Sequence, residues 1–326
     1  MAQHFLLSTK ARTLSLAKVM RLTDEEAAQT FMEIRWADNS GKPYCPKCGV
    51  VEPYTLKGLG KFKCRECYTK FTATSGTIFA SRKLAIRDIL AAIAIFMNGA
   101  KGHSALQLSR DLDVQYKTAF VLQHKIREAL AAENLKEEIS GEVEIDGAYF
   151  GGYVKPANYK KDRIDRRLAM NRTGKRRVVV VIRERTGTTQ TQVFKAEEQG
   201  VAAVVATVKE GSTVYADEAT HWDELHARFL TKRINHSEAY SHDGANTNMA
   251  ESFFSRLRRA EIGIHHQFAG KYLDSYAAEM AWREDHRRLS NGEQMMEATR
   301  AVSRHPVSRQ WKGYWQRRAT KPAAAK

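Results

Sequence analysis

Four cysteines stand in two pairs with the spacing of a metal site. The pairs are Cys45-Pro-Lys-Cys48 and Cys64-Arg-Glu-Cys67, with fifteen residues between them. Two residues between thiolates allow a tight turn to aim both sulfurs at one point, and two such turns complete a tetrahedron. We predict a structural Zn²⁺ on Cys45, Cys48, Cys64 and Cys67, with no coordination position left open for catalysis.

The surroundings of the cysteines favour zinc over the alternatives. Lys47, Lys63 and Arg65 place positive charge nearby, which is expected to lower the pKa of the thiols. Two disulfides are disfavoured in a cytosolic chain, and paired motifs argue against a single redox Cys-x-x-Cys site. The segment between the pairs predicts a short hairpin around Gly58 and Gly60.

Three acidic residues in the second half could form a different metal site. Asp146 ends a predicted strand, Asp217 directly follows another, and Glu251 lies on a predicted helix. Carboxylates brought together repel one another unless a cation joins them, and oxygen ligands suit Mg²⁺ or Mn²⁺. Two such ions could activate an attacking hydroxyl and stabilise the leaving oxygen of a phosphodiester.

Each of these acids also has a structural interpretation. Asp146 could cap a strand end, Asp217 could cap the following helix, and Glu251 could be a solvated helix residue. Their joint placement on the predicted elements favours the catalytic interpretation. The competing ligands are Glu144 for the first position, and Glu218 and Asp223 for the second.

The predicted helix over residues 248–259 has two distinct faces. One face carries Glu251 and, two turns later, Arg258, which could hold a DNA phosphate beside the metals. The opposite face is apolar and consists of Ala250, Phe253, Phe254 and Leu257. Glu251 can therefore point towards the ions while the helix is anchored behind it.

The elements that must position these acids alternate between strands and helices. Strands are predicted at 142–146, 178–183, 190–195, 212–216 and 232–235. The residues from Tyr149 to Gly152 are predicted to end the first strand. Helices are predicted at 197–209, 222–230 and 248–259. This order of strand, strand, strand, helix, strand, helix, strand, helix predicts an α/β domain.

The segment after the cysteines predicts a helix-turn-helix. Helices are predicted there at 82–98, 103–112 and 115–133, and a short helix, a tight turn and a longer helix form the motif. A separate helix before the cysteines is predicted to start with a capping box at Thr23 and to end near residue 36. The first turn of the last helix could reach base edges or phosphates through Gln115, Tyr116, Lys117 and Thr118. The alternative is a plain helical bundle that packs against the cysteine-rich segment.

The net charge of +16 indicates an anionic partner. Residues 155–177 hold ten basic and two acidic side chains, and residues 304–326 hold seven basic and no acidic ones. Clustered cations suit a phosphate backbone because each neutralised phosphate releases counterions. The predicted backbone contacts are Lys160, Lys161, Arg166, Arg167, Lys175, Arg176 and Arg177. A soluble protein with a merely basic surface is the alternative.

Composition excludes several classes of protein. The chain has 326 residues, 43% of them hydrophobic and 28% charged, as in ordinary globular proteins. The longest apolar run, 89–97, is far short of the ~20 residues of a membrane span. The first residues lack a signal-peptide core, so we expect a cytoplasmic, nucleoid-associated protein without a membrane partner.

Four stretches together resemble a known family, the ISXO-like, zinc-ribbon-bearing branch of the DDE transposases of bacterial insertion sequences. They are Phe31-Met-Glu-Ile-Arg-Trp36 with the first cysteine pair, Val143–Gly152, Val214-Tyr-Ala-Asp-Glu218, and Asn246–Arg259 followed by Gly263-Ile-His-His266. The resemblance spans roughly residues 20–290. The sequence departs from it at three positions, with Gly147 where an acid is common, Asn246 where His is frequent, and Arg258 where Lys is more usual.

The resemblance implies a ribonuclease H-like catalytic core that cuts and joins DNA at transposon ends. Its acidic triad falls on Asp146, Asp217 and Glu251, and its basic residue falls on Arg258. Synapsis of two ends implies a homo-oligomer. The expected mechanism is a nick at the element end, after which the freed 3′-hydroxyl attacks target DNA in the same site.

The resulting prediction is an α/β protein in five parts. These are an N-terminal helical segment (1–40), a zinc ribbon (41–80), a helix-turn-helix-like region (81–139), a ribonuclease H-like catalytic domain (140–290) and a basic C-terminal tail (291–326). Two other functions stay open. One is a DNA-binding regulator with an inactive nuclease-like domain, and the other is a host nuclease or resolvase on the same core.

Overall fold

The computed structural model describes residues 5–135, 138–151, 157–165, 174–234 and 246–316. The chain divides into two compact units. The first consists of residues 1–99, 103–130 and 288–326, and the second of residues 100–102 and 131–287. No helix in the described part of the chain is long and apolar enough to cross a membrane.

The first unit is mainly helical and includes one small sheet. Its helices are α1 (Leu16–Met20), α2 (Asp24–Arg35), α3 (Ile86–Asn98), α4 (Ala105–Asp111), α5 (Tyr116–Asn134, whose last residues belong to the second unit) and a later helix at Asn291–Arg304. Its strands are β1 (Tyr54–Thr55), β2 (Lys61–Lys63) and β3 (Lys70–Thr72), which form an antiparallel sheet.

The start of α2 is set by the predicted capping box. The Thr23 hydroxyl accepts a hydrogen bond from the Glu26 amide, and the Glu26 carboxylate accepts one from the Thr23 amide. The helix ends beside Trp36, which is fully buried and packs edge-on against Phe62 of β2. Arg35 donates hydrogen bonds to the carbonyl groups of Ala73 and Ser75, so this helix is tied to the segment that follows the small sheet.

Helices α4 and α5 have the layout predicted for a helix-turn-helix. The Ser104 hydroxyl caps α4 by accepting from the Gln107 amide, and a short turn leads into α5. Leu108, Ala119 and Ile126 are buried, as the apolar pattern predicted. DNA reading by these helices stays a prediction.

Residues 291–304 form helix α9, although the charge pattern predicted a basic tail there. A capping box of Ser290 and Glu293 starts the helix, which packs against α2 and α3 and buries Ala298 and Val302. Further on, Trp311 is fully buried. The basic residues of this region therefore decorate an ordered part of the first unit up to residue 316.

The second unit is built on a five-stranded mixed sheet. Its strands are β4 (Glu142–Phe150), β5 (Arg177–Glu184), β6 (Thr189–Phe194), β7 (Thr213–Ala216) and β8 (Leu230–Arg233). The order across the sheet is β6-β5-β4-β7-β8, in which β4, β5 and β6 are antiparallel and β7 and β8 run parallel to β4. This arrangement confirms the predicted α/β class and ribonuclease H-like core.

Alternating side chains of the sheet fill two separate cores. On one face of β4, Val143 and Ile145 pack with α6 (Gly200–Thr207) and the 3-10 helix Thr220–Ala227. On the other face, Ala148 and Phe150 pack with α7 (Asn248–Ala260) and α8 (Leu273–Asp285). Helices therefore cover both faces, as the near-continuous apolar sequence of β5 requires.

Several predicted element boundaries differ from the observed ones. Strand β4 does not break at Tyr149, because its pairing with β5 continues through Phe150 opposite Arg177. The predicted helix at 222–230 is the 3-10 helix Thr220–Ala227. The last strand begins at Leu230 because it follows that helix directly and pairs with β7 from Thr213 onwards.

Candidate active site and zinc site

The four cysteine sulfurs converge on one point in the first unit. The Sγ atoms of Cys45, Cys48, Cys64 and Cys67 all lie within 4.8 Å of one another. Neighbouring sulfurs are 3.5–3.6 Å apart, close to the ~3.8 Å edge of a tetrahedron with Zn–S bonds of about 2.3 Å. Zn²⁺ fits this donor set, and four thiolates leave the ion a structural role.

The cause of the thiolate character at Cys67 differs from the predicted one. Hydrogen bonding with the hydroxyl and amide of Thr69 lowers the pKa of Cys67 to about 6. Two of the three predicted cations lie over aromatic rings, with Lys63 5.2 Å from the Tyr68 ring and Arg65 5.0 Å from the Tyr54 ring.

Strand pairing in the second unit makes Asp146 and Asp217 neighbours. Strands β4 and β7 are parallel, and Ile145 of β4 pairs with Ala216 of β7. The next residue on each strand is therefore Asp146 on one and Asp217 on the other. Residues paired across adjacent strands lie about 5 Å apart, so the two carboxylates start from neighbouring backbone positions.

The charges around Asp146 identify the other members of this group. The pKa of Asp146 is raised to about 7, first by burial and next by the negative charge of Asp217. The charges of Glu197 and Glu251 raise it further, while a hydrogen bond from the Gly147 amide at 2.7 Å acts in the opposite direction. Asp146, Asp217 and Glu251 are thus electrostatically coupled, which a shared cation site requires.

Glu251 reaches the group because the start of α7 is attached to β4. Glu144 is 1% exposed, and its Oε2 accepts hydrogen bonds from the amides of Met249 at 2.8 Å and Ala250 at 3.2 Å. Its Oε1 accepts from Nε of Arg185 at 3.0 Å. The carboxylate therefore caps α7 one residue before Glu251, and it stands on the same strand as Asp146, two residues earlier.

Two of the three competing acids form structural contacts, and the third is exposed. Glu144 is committed to capping α7 and to Arg185, so it is a support for the site. Asp223 is exposed and pairs with Arg233. Glu218 is exposed. Asp217 itself accepts a hydrogen bond from the Ala219 amide at 3.1 Å, which orients its carboxylate.

The two faces of α7 have their predicted environments. Phe253, Phe254 and Leu257 are buried in the core of the second unit, whereas Glu251 and Arg258 are exposed. The guanidinium carbon of Arg258 lies 5.1 Å from the centre of the Phe150 ring. Arg258 is thereby held above the end of β4, a few residues from Asp146.

The sequence patterns did not single out a fourth acid, Glu197. It opens the 3-10 helix Glu197–Gln199 after β6, and its pKa is raised to about 7, first by burial and then by the charge of Asp217. A Cβ atom at Gly147 would lie only 2.1 Å from Glu197 Oε1. The single sequence clue was Gly147 itself, a residue without a side chain next to Asp146.

The acidic group suits a hard divalent cation by its chemistry. Burial and neighbouring negative charge raise the pKa of Asp146, and a bound cation would relieve both effects. Among the residues described by the structure, only the cysteine quartet is gathered closely enough to count as a preformed metal cluster. The carboxylates are neighbours that a cation would have to draw together.

The predicted base-reading residues lie at the start of α5 and are exposed. They are Gln115, Tyr116, Lys117 and Thr118. Trp315 covers part of this turn, since its Nε1 donates to the Lys117 carbonyl at 3.3 Å and its ring lies 5.4 Å from the Lys117 ammonium.

The predicted backbone-binding residues are also largely accessible. Lys160, Lys161, Lys175 and Arg176 are exposed, and Arg177 is half-buried at the start of β5. Lys175, Arg177 and Lys271 line a cleft of about 390 Å³. Arg166 and Arg167 lie outside the described residues.

Two parts of the chain match transposase families. Residues 22–70 match the transposase zinc-ribbon domain, and residues 138–285 match the ISXO2-like transposase domain. A protein in the transposable element ISH50 of Halobacterium salinarum is 26% identical over 254 residues, which cover 73% of this chain and 83% of that protein.

Solved transposase structures also match, at lower similarity. The Mos1 transposase paired-end complex with the left transposon end matches with 16% identity, a TM-score of 0.27, and coverage of 66% of this chain and 79% of that one. The Mos1 strand transfer complex matches with 14% identity, a TM-score of 0.25, and coverage of 67% and 79%. The chain thus carries an ISXO2-like transposase domain at residues 138–285 and a transposase zinc-ribbon domain at residues 22–70.

Proposed function

We propose that this transposase cleaves and joins DNA at the acidic group of its second unit. Asp146, Asp217 and Glu251 are the proposed ligands of Mg²⁺ or Mn²⁺. The observation that carries the proposal is the parallel pairing of β4 and β7, which makes Asp146 and Asp217 neighbours within reach of the charge of Glu251.

Each residue of the site has a distinct role in the proposed reaction. A bound pair of divalent cations supplies Lewis acids for the attacking and leaving oxygens of a phosphodiester. The three carboxylates bind and position the cations, and Arg258 binds a phosphate of the DNA strand. Glu144 fixes the start of α7, which keeps the charge of Glu251 within reach of Asp146.

DNA binding is assigned to other parts of the chain. The zinc ribbon and the first turn of α5 recognise the element ends, while the exposed lysines and arginines near residues 160–177 hold the phosphate backbone. Joining two ends requires at least two copies of the chain, so the proposal includes a homo-oligomer.

The central test is cleavage of a duplex that carries the terminal repeat of the element. Asp146→Asn and Glu251→Gln are expected to abolish cleavage in Mg²⁺ or Mn²⁺ while DNA binding is retained. Glu218→Gln, a neutralised exposed acid next to Asp217, serves as the control and should cleave normally. Cleavage retained in either triad variant would falsify the assignment, and cleavage absent from the wild type would favour a regulator.

The proposed backbone contacts are tested by the salt dependence of binding. Replacing both Lys160 and Lys161 with Ala should flatten the slope of log affinity against log salt by about 0.9 for each phosphate that is no longer neutralised. Preference for the terminal repeat should stay unchanged. Lys209→Ala removes another exposed lysine and is the control. A collapse of sequence preference would show that these lysines read sequence.

A further inference from the structure

Glu197 reaches the acidic group from a separate element. It begins the 3-10 helix after β6, an edge strand of the sheet, whereas Asp146 and Asp217 lie on or after central strands. Its side chain is half-buried, in contrast to the exposed Glu198 beside it. The chain therefore turns one of two consecutive glutamates inwards, towards Asp146 and Asp217.

The missing side chain of Gly147 makes room for this carboxylate. A Cβ atom built on Gly147 would lie 2.1 Å from Oε1 and 2.5 Å from Cδ of Glu197, closer than atoms can approach. The φ of Gly147 is outside the left-handed region, so the glycine is needed for close approach and not for backbone conformation. Glu197 thus lies directly against the backbone that follows Asp146.

The surroundings of Glu197 do not make it an ordinary surface ion pair. Nε2 of His221 lies 4.0 Å from its Oε1, at the limit of an ion pair. Its stronger electrostatic neighbours are the negative charges of Asp217 and Glu198. A half-buried carboxylate among like charges is unfavourable unless a cation compensates it.

We propose that Glu197 is a fourth carboxylate ligand of the divalent cations, held against Asp146 by Gly147. The inference rests on the proposed function, because it extends the cation site assigned there. Three carboxylates leave a pair of divalent cations with one uncompensated positive charge, and a fourth carboxylate balances it.

The test measures Mn²⁺ binding to the full-length, zinc-loaded protein without DNA, by calorimetry. Glu197→Gln, which keeps the shape of the side chain, should weaken Mn²⁺ binding by about tenfold to a hundredfold. Glu198→Gln on the same 3-10 helix is the matched control and should bind as the wild type does. Gly147→Ala should weaken binding without changing any acid, because its methyl group would occupy the place of the carboxylate.

Thermal unfolding of the metal-free variants separates a ligand from a structural residue. Removing one of several repelling charges should keep or raise the melting temperature of Glu197→Gln. A lower melting temperature combined with unchanged Mn²⁺ affinity would overturn the proposal and make Glu197 structural.

Asp146→Asn distinguishes this inference from the function on which it rests. If Asp146→Asn weakens Mn²⁺ binding and Glu197→Gln does not, the acidic site stands and the role of Glu197 is refuted. If Asp146→Asn binds Mn²⁺ as tightly as the wild type, the proposed cation site itself is refuted. Weaker binding in both variants, with Glu198→Gln unaffected, supports both.

Discussion

The zinc ribbon and the proposed cation site at the acidic group are assembled differently. The four cysteines lie in one short stretch, and two local turns already place their sulfurs within 4.8 Å of one another. The carboxylates come from β4, the end of β7, the 3-10 helix after β6 and the start of α7. The ribbon thus depends on local geometry, whereas the acidic site depends on the whole sheet.

The two sites also differ in the protonation state that their surroundings favour. Hydrogen bonds with Thr69 favour the Cys67 thiolate. At the acidic site, burial and neighbouring charge favour the neutral form of Asp146 instead. A ribbon with converged ligands is expected to bind its metal permanently, and a site of repelling carboxylates to exchange its cation.

Loss of zinc is the largest effect that this comparison predicts. Cys64→Ser removes a buried ligand, and because structural zinc contributes on the order of 10 kcal/mol to the folding of small zinc domains, the ribbon should unfold. Zinc content should fall from one atom per chain to none, while Mn²⁺ binding at the acidic site persists. Glu66→Gln, which changes an exposed residue between Cys64 and Cys67, is the control. Zinc retained in Cys64→Ser would contradict the four-cysteine site.

Loss of the α7 cap is the next largest effect. Glu144→Ala leaves two helix amides and Arg185 without their buried partner, which should cost about 3–5 kcal/mol in urea unfolding. Cleavage should lose kcat more than DNA affinity, because Glu251 is no longer held opposite Asp146. Glu142→Ala removes an exposed acid of the same strand and should destabilise the fold much less, because solvent screens its pairing with Arg185. Equal effects of the two variants would exclude the capping role.

The smallest predicted effect is a pH dependence of the metal-free protein. The pKa of Asp146 is about 7 in the folded state and 3.8 in the unfolded chain, so the folded state binds the proton more tightly. The Asp146 carboxyl therefore makes its full contribution to the free energy of unfolding below pH 4, and this contribution is lost as pH rises towards 7. Asp146→Asn should therefore raise the melting temperature at pH 8 by about 2–4 °C, as ~1 kcal/mol does in a domain of this size.

The same measurement has a direct control. Added Mn²⁺ should remove the loss of stability at pH 8 in the wild type and have little effect in Asp146→Asn. A melting temperature of the wild type that rises between pH 5 and pH 8 without divalent cations would contradict the coupling of these carboxylates.

Local features of the sequence were predicted most completely. The cysteine spacing, the capping box at Thr23 and the two faces of α7 depend on residues close together in the chain, and the structure places them as expected. Helix α9 had a similar signal, Ser290 followed three residues later by Glu293, but the basic composition after residue 304 concealed it. Charge decides solubility and partners, while capping and apolar spacing decide whether a helix forms.

Features that depend on the fold could not be read in the same way. Glu197 lies next to Asp146 because Gly147, fifty residues earlier in the chain, has no side chain. Glu144 supports the acidic group by accepting hydrogen bonds from amides of α7, more than a hundred residues later. Neither contact has a spacing rule, because sheet pairing creates both. The roles assigned to Asp146, Asp217, Glu251 and Arg258 stay predictions until the cleavage variants are measured.

The position of α9 has a consequence for how the protein is made. Helix α9 packs against α2 and α3, and the Ile78 amide donates a hydrogen bond to the His305 carbonyl. The first unit is therefore completed only after α9 has been translated, behind the whole of the second unit. The second unit is contiguous in its main part, 131–287, and can reach its final form earlier during synthesis. A ribosome that stops before α9 would release a chain in which the surfaces of α2 and α3 that α9 covers are exposed.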